Sequence, residues 1–158
     1  MRNKNAARQH YVAPLCEDAL KDALEGHFDD CCFYPLAKYI TDITDSSDDV
    51  TDEFADYAGD GTVKTDVTGF NEAWDVSGTF DSTDYAQALI AGMKRETGNG
   101  RKLAHKIVSP DGTQTVIGVA TALSIVTGSG AADEHEEFSC TLRFDQKPFV
   151  NGAPNGGW

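Results

Sequence analysis

The most regular alternation of apolar and polar residues lies between Phe70 and Phe80. One side of this stretch carries large apolar side chains and the other carries small or acidic ones: Phe70, Trp74, Val76 and Phe80 against Asp75, Ser77 and Thr79. A period of two is typical of a strand with one buried face. Glu72 interrupts the apolar side, which indicates a bend or an edge near the start of the strand. We therefore predict one strand across this stretch, with its four large apolar residues in the core.

After Phe80 the apolar period changes from two to that of a helix. The repeating positions are spaced by three and four residues: Tyr85, Ala88, Leu89, Gly92 and Met93. Such a stripe predicts a short amphipathic helix with Leu89 in the core. Asp84 with Gln87 three residues later has the spacing of a capping box. We expect the helix to end before Gly98–Gly100.

The second half of the chain predicts further strands. Asp111-Gly112 between two β-prone runs, 102–109 and 114–126, is a strong hairpin signal. The run 114–126 is apolar on both sides, which predicts a strand covered on both faces, with Ile117 and Val119 in the core. The run 136–144 alternates, with Phe138, Leu142 and Phe144 inward and Glu137, Ser139 and Thr141 outward. The pattern as a whole predicts a mainly β (α+β) fold with antiparallel pairing and one helix.

The first half of the chain has weaker patterns. Residues 1–13 are rich in basic residues and lack an apolar period, so we expect an N-terminal arm. Pro14 to Gly26 predicts a short helix. In 32–43 we expect a strand that starts after Pro35 or lies at a sheet edge, because proline cannot donate to a ladder. A further strand is predicted over Thr62 to Thr68, after the turn residues Gly59-Asp60-Gly61. We expect one domain over 14–149 and a loose C-terminal tail over 150–158 that ends in Trp158.

Between Thr41 and Asp60 acidic residues accumulate and no Lys or Arg is present. The acidic positions that we consider are Asp45, Asp48, Asp49, Asp52, Glu53 and Asp56. Three interpretations remain open: a solvated loop, a calcium site, or a surface that faces a partner. An EF-hand frame beginning at Asp56 places Ala58 at a ligand position and Val67 where the bidentate Glu belongs, so that motif is absent.

Composition narrows the possible partners. The chain has 158 residues and a net charge of −13, which argues against a protein that grips nucleic acid through its phosphates. No apolar run approaches the length of a membrane span, and no signal peptide is visible, so we expect no membrane partner. The four cysteines form no CxxC pair and are expected to be reduced in a cytoplasmic product.

Candidate chemistry is sparse. The histidines are His10, His27, His105 and His135, and none lies in a metal-ligating or nucleophile-activating motif. His105 is expected to be an ordinary packed or surface residue of a strand. No Gly-rich phosphate loop is present. The sequence therefore predicts no catalytic residues, no cofactor and no metal, and we expect no enzyme.

The quoted elements together resemble the major tail proteins (tail-tube proteins) of long-tailed, non-contractile bacteriophages. The residues that carry the resemblance run from about Phe33 to Phe149: the stretch from YAGDGTVKTDVTGFNEAWDVSGTF to the helix, the SPDGTQTVIGVATALSIVTGSG hairpin, and EEFSCTLRFDQKPF. The resemblance implies a β-sandwich or half-barrel with one flanking helix. Six copies would form a ring with an inner β-barrel, and stacked rings would form a conduit for double-stranded DNA.

The same resemblance implies the partners and the location. These are further copies of the chain, a tape-measure protein inside the tube, and baseplate or terminator proteins at its ends, in the virion tail and, during assembly, in the host cytoplasm. A long acidic loop, 41–60, would reach a neighbouring subunit. The candidates for lining the lumen without binding DNA are Asp75, Ser77, Thr79, Glu137, Ser139 and Thr141, although these faces are equally expected on an exterior in water. Two alternatives remain: another ring-forming tail or neck protein such as a tail terminator, or a monomeric β-sandwich binding module.

Overall fold

The computed structural model describes residues 4–15, 20, 22, 33–55 and 57–151. Within these residues the chain forms ten strands and the α-helix Tyr85–Gly92, with short 3-10 turns at Asn5–Ala7 and Gly98–Arg101, and Leu20 and Asp22 are helical as well. The elements in chain order are β1 Gln9–Pro14, β2 Tyr34–Pro35, β3 Ile40–Asp45, β4 Asp48–Phe54, β5 Lys64–Asn71, β6 Ala73–Thr79, α1 Tyr85–Gly92, β7 Lys102–Val108, β8 Thr115–Ser129, β9 Glu137–Phe144 and β10 Phe149–Asn151. The fold is mainly β with one helix, as predicted.

Eight of the strands form one antiparallel sheet that curls into a half-barrel. Its order is β2-β1-β7-β8-β9-β6-β3, and β10 pairs with the first residues of β8. The curl brings β1 and β3 toward each other, and Arg8 Nη2 donates to the Ile43 carbonyl at 3.2 Å. A cleft of about 480 Å³ remains between these two strands. The other two strands, β4 and β5, pair only with each other; we call residues 48–71 the ribbon.

The core lies between the sheet and α1. Alternate residues of β9 point into it, so its burial follows the predicted period of two. Of the predicted core residues, six are at most 6% exposed: Val76, Ile117, Val119, Phe138, Leu142 and Phe144. Trp74, Phe80 and Leu89 are partly buried and pack against this core.

The prediction of a single strand from Phe70 to Phe80 is wrong. The chain leaves the ribbon at Asn71 and enters β6 at Ala73, so Phe70 belongs to the ribbon and is 49% exposed. Glu72 is the junction, and its carbonyl accepts from the Phe144 amide at 2.9 Å. The apolar alternation runs across this junction, which is why the sequence pattern joined two strands that lie in different sheets.

Three predicted boundaries also change. Residues 9–13 belong to β1, which pairs with β7 along its whole length, instead of to an arm. The predicted acidic loop, 41–60, includes β4, the first strand of the ribbon, and all of β3 except Ile40, and the predicted tail begins one residue into β10. Of the predicted helix Pro14–Gly26 only four residues are described: Pro14 ends β1, Leu15 follows it, and Leu20 and Asp22 are helical as predicted.

The helix begins where the sequence indicates, but its buried stripe is shifted: of the predicted positions, Met93 is buried and Leu89 packs against the core. Asp84 is the N-cap, and its carboxylate accepts from the Gln87 amide at 3.3 Å. The buried positions are Ala86, Gln87 and Ile90, whereas Tyr85 is 73% exposed. The Gln87 side chain does not complete a capping box. None of the helices in the described part of the chain is long and apolar enough to cross a membrane.

The buried Gln87 amide fixes the connection between β2 and β3. Its Oε1 accepts from the Asp81 amide at 2.7 Å, and its Nε2 donates to the carbonyls of Lys38 and Thr79, both at 3.1 Å. Three backbone groups that would otherwise be unpaired in the interior are thereby satisfied.

The registers give the molecule two different ends. At one end lie Gln9, Val108 and Thr115, together with the ends of β3 and β9 and the base of the ribbon; we call it the ribbon pole. At the other end lie α1, the start of β3 and the turn between β8 and β9; we call it the helix pole. The strands between the two poles are six or more residues long, which separates the poles by about 20 Å.

Candidate functional surfaces

The ribbon is the first candidate surface because the fold itself covers almost none of it. All seven residues of β4 are exposed, and so are residues 64–68 of β5. Asp52 stands directly opposite Asp66 in the register. Like charges directly across a strand pair destabilise it, so the bare ribbon carries an electrostatic cost that a nearby cation would relieve.

The ribbon also exposes apolar side chains. Six residues between 45% and 108% exposed lie on it or on its connecting turn: Val50, Phe54, Tyr57, Val63, Val67 and Phe70. An isolated two-stranded hairpin is at best marginally stable in water. A cluster of exposed apolar residues is typical of an interaction surface, whereas apolar residues exposed singly are not.

The predicted acidic residues are divided between two elements. Asp45 lies in β3 opposite Trp74, within the main sheet. Asp48, Asp49, Asp52 and Glu53 lie in β4. Asp56 lies outside the described residues. No group of three His, Cys, Asp or Glu side chains in the described ranges has the arrangement to hold a metal ion.

A polar surface covers β6 and β9 on the side of the sheet away from α1. The register pairs Asp75 with Thr141, Ser77 with Ser139, and Thr79 with Glu137, so all six predicted lumen candidates share this side; we call it the polar face. Thr141 Oγ1 donates to the Asp75 carboxylate at 2.7 Å, and Ser46 Oγ donates to the same oxygen at 3.4 Å. The sheet therefore brings the six residues together, which the separate runs of sequence did not establish.

Basic residues extend the polar face, and sequence reasoning missed them. Lys102 pairs with Thr121, and Thr121 pairs with Arg143, which places both cations in one row across the sheet. The Lys102 ammonium lies 2.5 Å from Asp145 and donates to Thr121 Oγ1 at 2.8 Å. Lys106, on the same side of β7, lies 5.6 Å above the Tyr11 ring. Only the cross-strand register shows that this face carries both acidic and basic residues, and the sequence alone does not give that register.

A buried row of basic groups connects β1 to β7. Arg8 Nε donates to His10 Nε2 at 3.0 Å, and His10 Nδ1 lies 3.1 Å from His105 Nε2. Because His10 Nε2 accepts from Arg8, the proton of neutral His10 belongs on Nδ1 and is donated to His105. His105 then carries its proton on Nδ1, which is buried without a hydrogen-bond partner among the described residues.

Both histidines are held neutral by their surroundings. Burial lowers the pKa of His10 to about 4, with a smaller contribution from Arg8. Burial lowers the pKa of His105 to about 3, and His10 adds to the shift. His105 stacks on Phe144 with ring centroids 5.4 Å apart. The row therefore packs as core, which agrees with the expectation of a packed His105.

Comparison with known proteins adds one informative relationship. No protein-family model matches the sequence, and no curated protein sequence matches it. The fold is similar to a chain from the tail of an empty GTA particle refined with C6 symmetry, with a TM-score of 0.69, 11% identity, and coverage of 95% of this chain and 99% of that one. A chain from the sheath–tube complex of the extracellular contractile injection system PVC, in its extended state, aligns with a TM-score of 0.48, 12% identity, and coverage of 92% and 89%. The first similarity shows a shared fold over nearly the whole length of both chains; the second is too remote to support an argument.

Proposed function

We propose that the chain is a structural subunit of a viral tail tube, in which six copies form a ring and the rings stack. The observation that carries the proposal is the near-complete fold match to a chain of a particle tail that has C6 symmetry. The role is structural, without catalysis, and the assembled tube would belong to a long, non-contractile tail of the virion. A tape-measure protein inside and baseplate or terminator proteins at the ends are the expected partners.

The ribbon supports this proposal through its exposed side chains. A monomer would leave six large apolar residues in water on a strand pair with no covering layer. A second copy can supply both the missing apolar layer and the cations that the acidic positions need. Asp48, Asp49, Asp52 and Glu53 are therefore assigned to a contact between subunits.

The polar face is proposed to line the lumen. DNA carries one negative charge per roughly 1.7 Å of its axis, so a conduit must offer it few accessible cations. Asp75 and Glu137 are exposed on this face; of its cations, Lys102 is paired with Asp145 and Lys106 lies over aromatic rings, while Arg143 is exposed. Physiological salt screens charges over about 8 Å, so repulsion acts only near the wall. Such a lumen would let the genome pass without specific binding.

Electron microscopy of the concentrated protein, together with its mass in solution, tests the proposal. Hollow tubes built from six-fold rings are the expected result. Single rings that do not grow would instead favour a tail terminator, and a monomer at every concentration would favour a binding module. A reconstruction of the tubes also tests the lumen: if the face that carries Asp75 and Glu137 lies on the outside, that assignment is wrong.

A further inference from the structure

The large apolar side chains that the described residues expose are confined to the two poles. Six of the eight lie on the ribbon or its turn, and the other two, Tyr39 and Tyr85, lie at the helix pole. The sides of the molecule between the poles expose none in the described ranges. Opposite ends of the protein thus carry the two surfaces whose burial in an interface would remove the most apolar area from water.

The helix pole exposes aromatic rings together with charged groups of both signs. Tyr34 and Tyr85 stack with ring centroids 5.4 Å apart, and the Lys38 ammonium lies 5.3 Å from the Tyr39 ring centroid. The buried Gln87 amide of α1 holds the Lys38 carbonyl at 3.1 Å, which fixes the Lys38–Tyr39 turn beside the helix. We call Tyr34, Lys38, Tyr39 and Tyr85 the tyrosine patch.

Tyr39 has an unfavourable backbone for its residue type. Its φ is 62°, in the left-handed region that favours glycine, yet its side chain is 55% exposed. The Thr79 amide donates to the Tyr39 carbonyl at 2.9 Å, and a Cβ on Gly78 would lie only 2.2 Å from that oxygen. The sheet therefore holds an exposed aromatic ring in a conformation that costs about 1–2 kcal/mol. Strain of this kind gathers where a side chain must be presented for a contact.

We propose that the tyrosine patch of one copy receives the acidic ribbon of the next copy. The inference rests on the proposed assembly and deepens it by naming the receiving surface. Lys38 pairs with Asp81 at 3.5 Å, but its side chain is 61% exposed, so its ammonium can also face the ribbon, in which Asp52 lies opposite Asp66. The aromatic rings of the patch offer an apolar layer to residues such as Phe54 and Tyr57.

The base of the ribbon and the patch lie at opposite ends of the main sheet. β6 begins at the base of the ribbon and ends beside the patch, and its seven residues span about 20 Å, which separates the two within one copy. A contact between unlike surfaces on opposite ends is heterologous, and when its rotation does not close into a ring it continues from copy to copy as an open stack. This is the arrangement that stacking along a tube axis needs.

Photo-cross-linking tests where the ribbon docks. Tyr57, fully exposed at the ribbon turn, is replaced by p-benzoylphenylalanine, and the cross-linked peptides from assembled tubes are mapped by mass spectrometry. We expect cross-links to peptides that contain residues 33–40 or 84–94. Tubes whose cross-links map to another ribbon or to another surface would overturn this inference and leave the proposed function standing. A chain that never assembles would overturn both.

A glycine variant separates the patch from protomer stability. Tyr39→Gly removes the ring and relieves the left-handed strain, so the melting temperature of the protomer should stay equal or rise. The protein concentration needed for tubes should increase at least about tenfold, which corresponds to 1.4 kcal/mol. The matched control is Ser124→Gly, because Ser124 is exposed and has a φ of 51° but lies in β8, outside the patch. Equal tube formation by both variants would contradict a role for the patch.

Discussion

The ribbon and the β6–β9 pair are both antiparallel strand pairs of similar length, yet they have opposite environments. In the sheet pair, alternate residues such as Val76, Cys140 and Leu142 are at most 3% exposed. In the ribbon, residues 48–68 include no buried position among those described. Backbone pairing is the same in both, so the difference lies in whether another layer packs against the strands.

This contrast shows that secondary structure and stability have different sources here. The sheet pair is stabilised by apolar burial against α1 and the neighbouring strands. The ribbon has apolar residues of comparable size but no layer of its own chain against which to bury them. Its stability should therefore depend on the concentration of a partner, as for any segment that binds only in the folded state.

The largest loss of stability should come from shortening a buried side chain of the β6–β9 pair. Phe138→Ala removes a ring that is 1% exposed and stacks on Phe80 with centroids 6.4 Å apart. We expect a loss of about 3–5 kcal/mol in the free energy of unfolding, measured by urea denaturation. Val67→Ala on the ribbon is the matched variant, with an expected change below about 0.5 kcal/mol. Similar losses in both variants would remove the distinction between the two regions.

Acid should weaken the sheet through the buried histidines and leave the ribbon unaffected. The unfolded chain binds protons on His10 and His105 near pH 6.5, while the folded chain keeps both neutral down to about pH 4 and 3. The unfolded state binds more protons in this window, so stability falls as the pH falls. Between pH 7 and pH 5 we expect the free energy of unfolding to fall by about 2 kcal/mol for each histidine. Urea denaturation at several pH values measures this loss.

Two variants sharpen the pH prediction. His105→Gln should reduce the slope of stability against pH by about half, whatever it does to the absolute stability. His135→Gln should leave the slope unchanged, because His135 is exposed. A wild-type slope that survives the His105 substitution would show that other groups control the acid response.

Removing the Gln87 contacts should cause the next largest loss of stability, because they join the sheet to the tyrosine patch. Gln87→Leu leaves three part-buried backbone groups without their side-chain partner, and we expect a loss of about 2–3 kcal/mol in thermal or chemical unfolding. Gln87→Glu places a carboxylate against the carbonyls of Lys38 and Thr79 at a buried position, so it should lose at least as much at pH 7. Wild-type stability in either variant would show that these hydrogen bonds contribute little.

Removing the ribbon should have the smallest effect on the protomer. β3 and β6 pair with each other up to Asp45 and Trp74, and the Ser46 amide donates to the Ala73 carbonyl at 2.9 Å. Joining Ser47 to Glu72 through Asn-Gly should change the free energy of unfolding by less than about 1 kcal/mol. Tubes should be absent in electron micrographs of this variant. Long tubes without a ribbon would show that the contact between copies lies elsewhere.

The sequence predicted the strands that bury one face and the turn that joins two of them. Phe138, Leu142 and Phe144 were assigned to the core by a period of two, and Asp111-Gly112 joins β7 to β8. These features depend on neighbouring residues alone. The helix was predicted for the same reason, but its buried stripe was predicted one position too early. The pattern assigned the apolar Tyr85 to the core, where it is not, and excluded the polar Gln87, which is buried because it bonds three backbone groups.

Of the ribbon, only a strand over Thr62 to Thr68 was predicted; β4 was expected as an acidic loop because all its residues are exposed and it has no buried period. Asp48, Asp49 and Asp52 are poor strand formers by propensity, and Phe70 reads as core. The mixed charge of the polar face also escaped prediction, since Arg143 and Lys102 meet only through the register of three strands. The charge of the polar face and the environment of the ribbon thus depend on pairing between distant residues, which the local pattern does not contain.

The ribbon is an insertion between two strands that already pair at its base. Each pair of residues added to it, one in β4 and one in β5, would lengthen it by about 3.4 Å without altering any register of the main sheet. Longer connections cost little, about 0.6 kcal/mol for each doubling. The distance over which one copy touches another can therefore change in evolution, or by design, while the fold of the subunit remains the same.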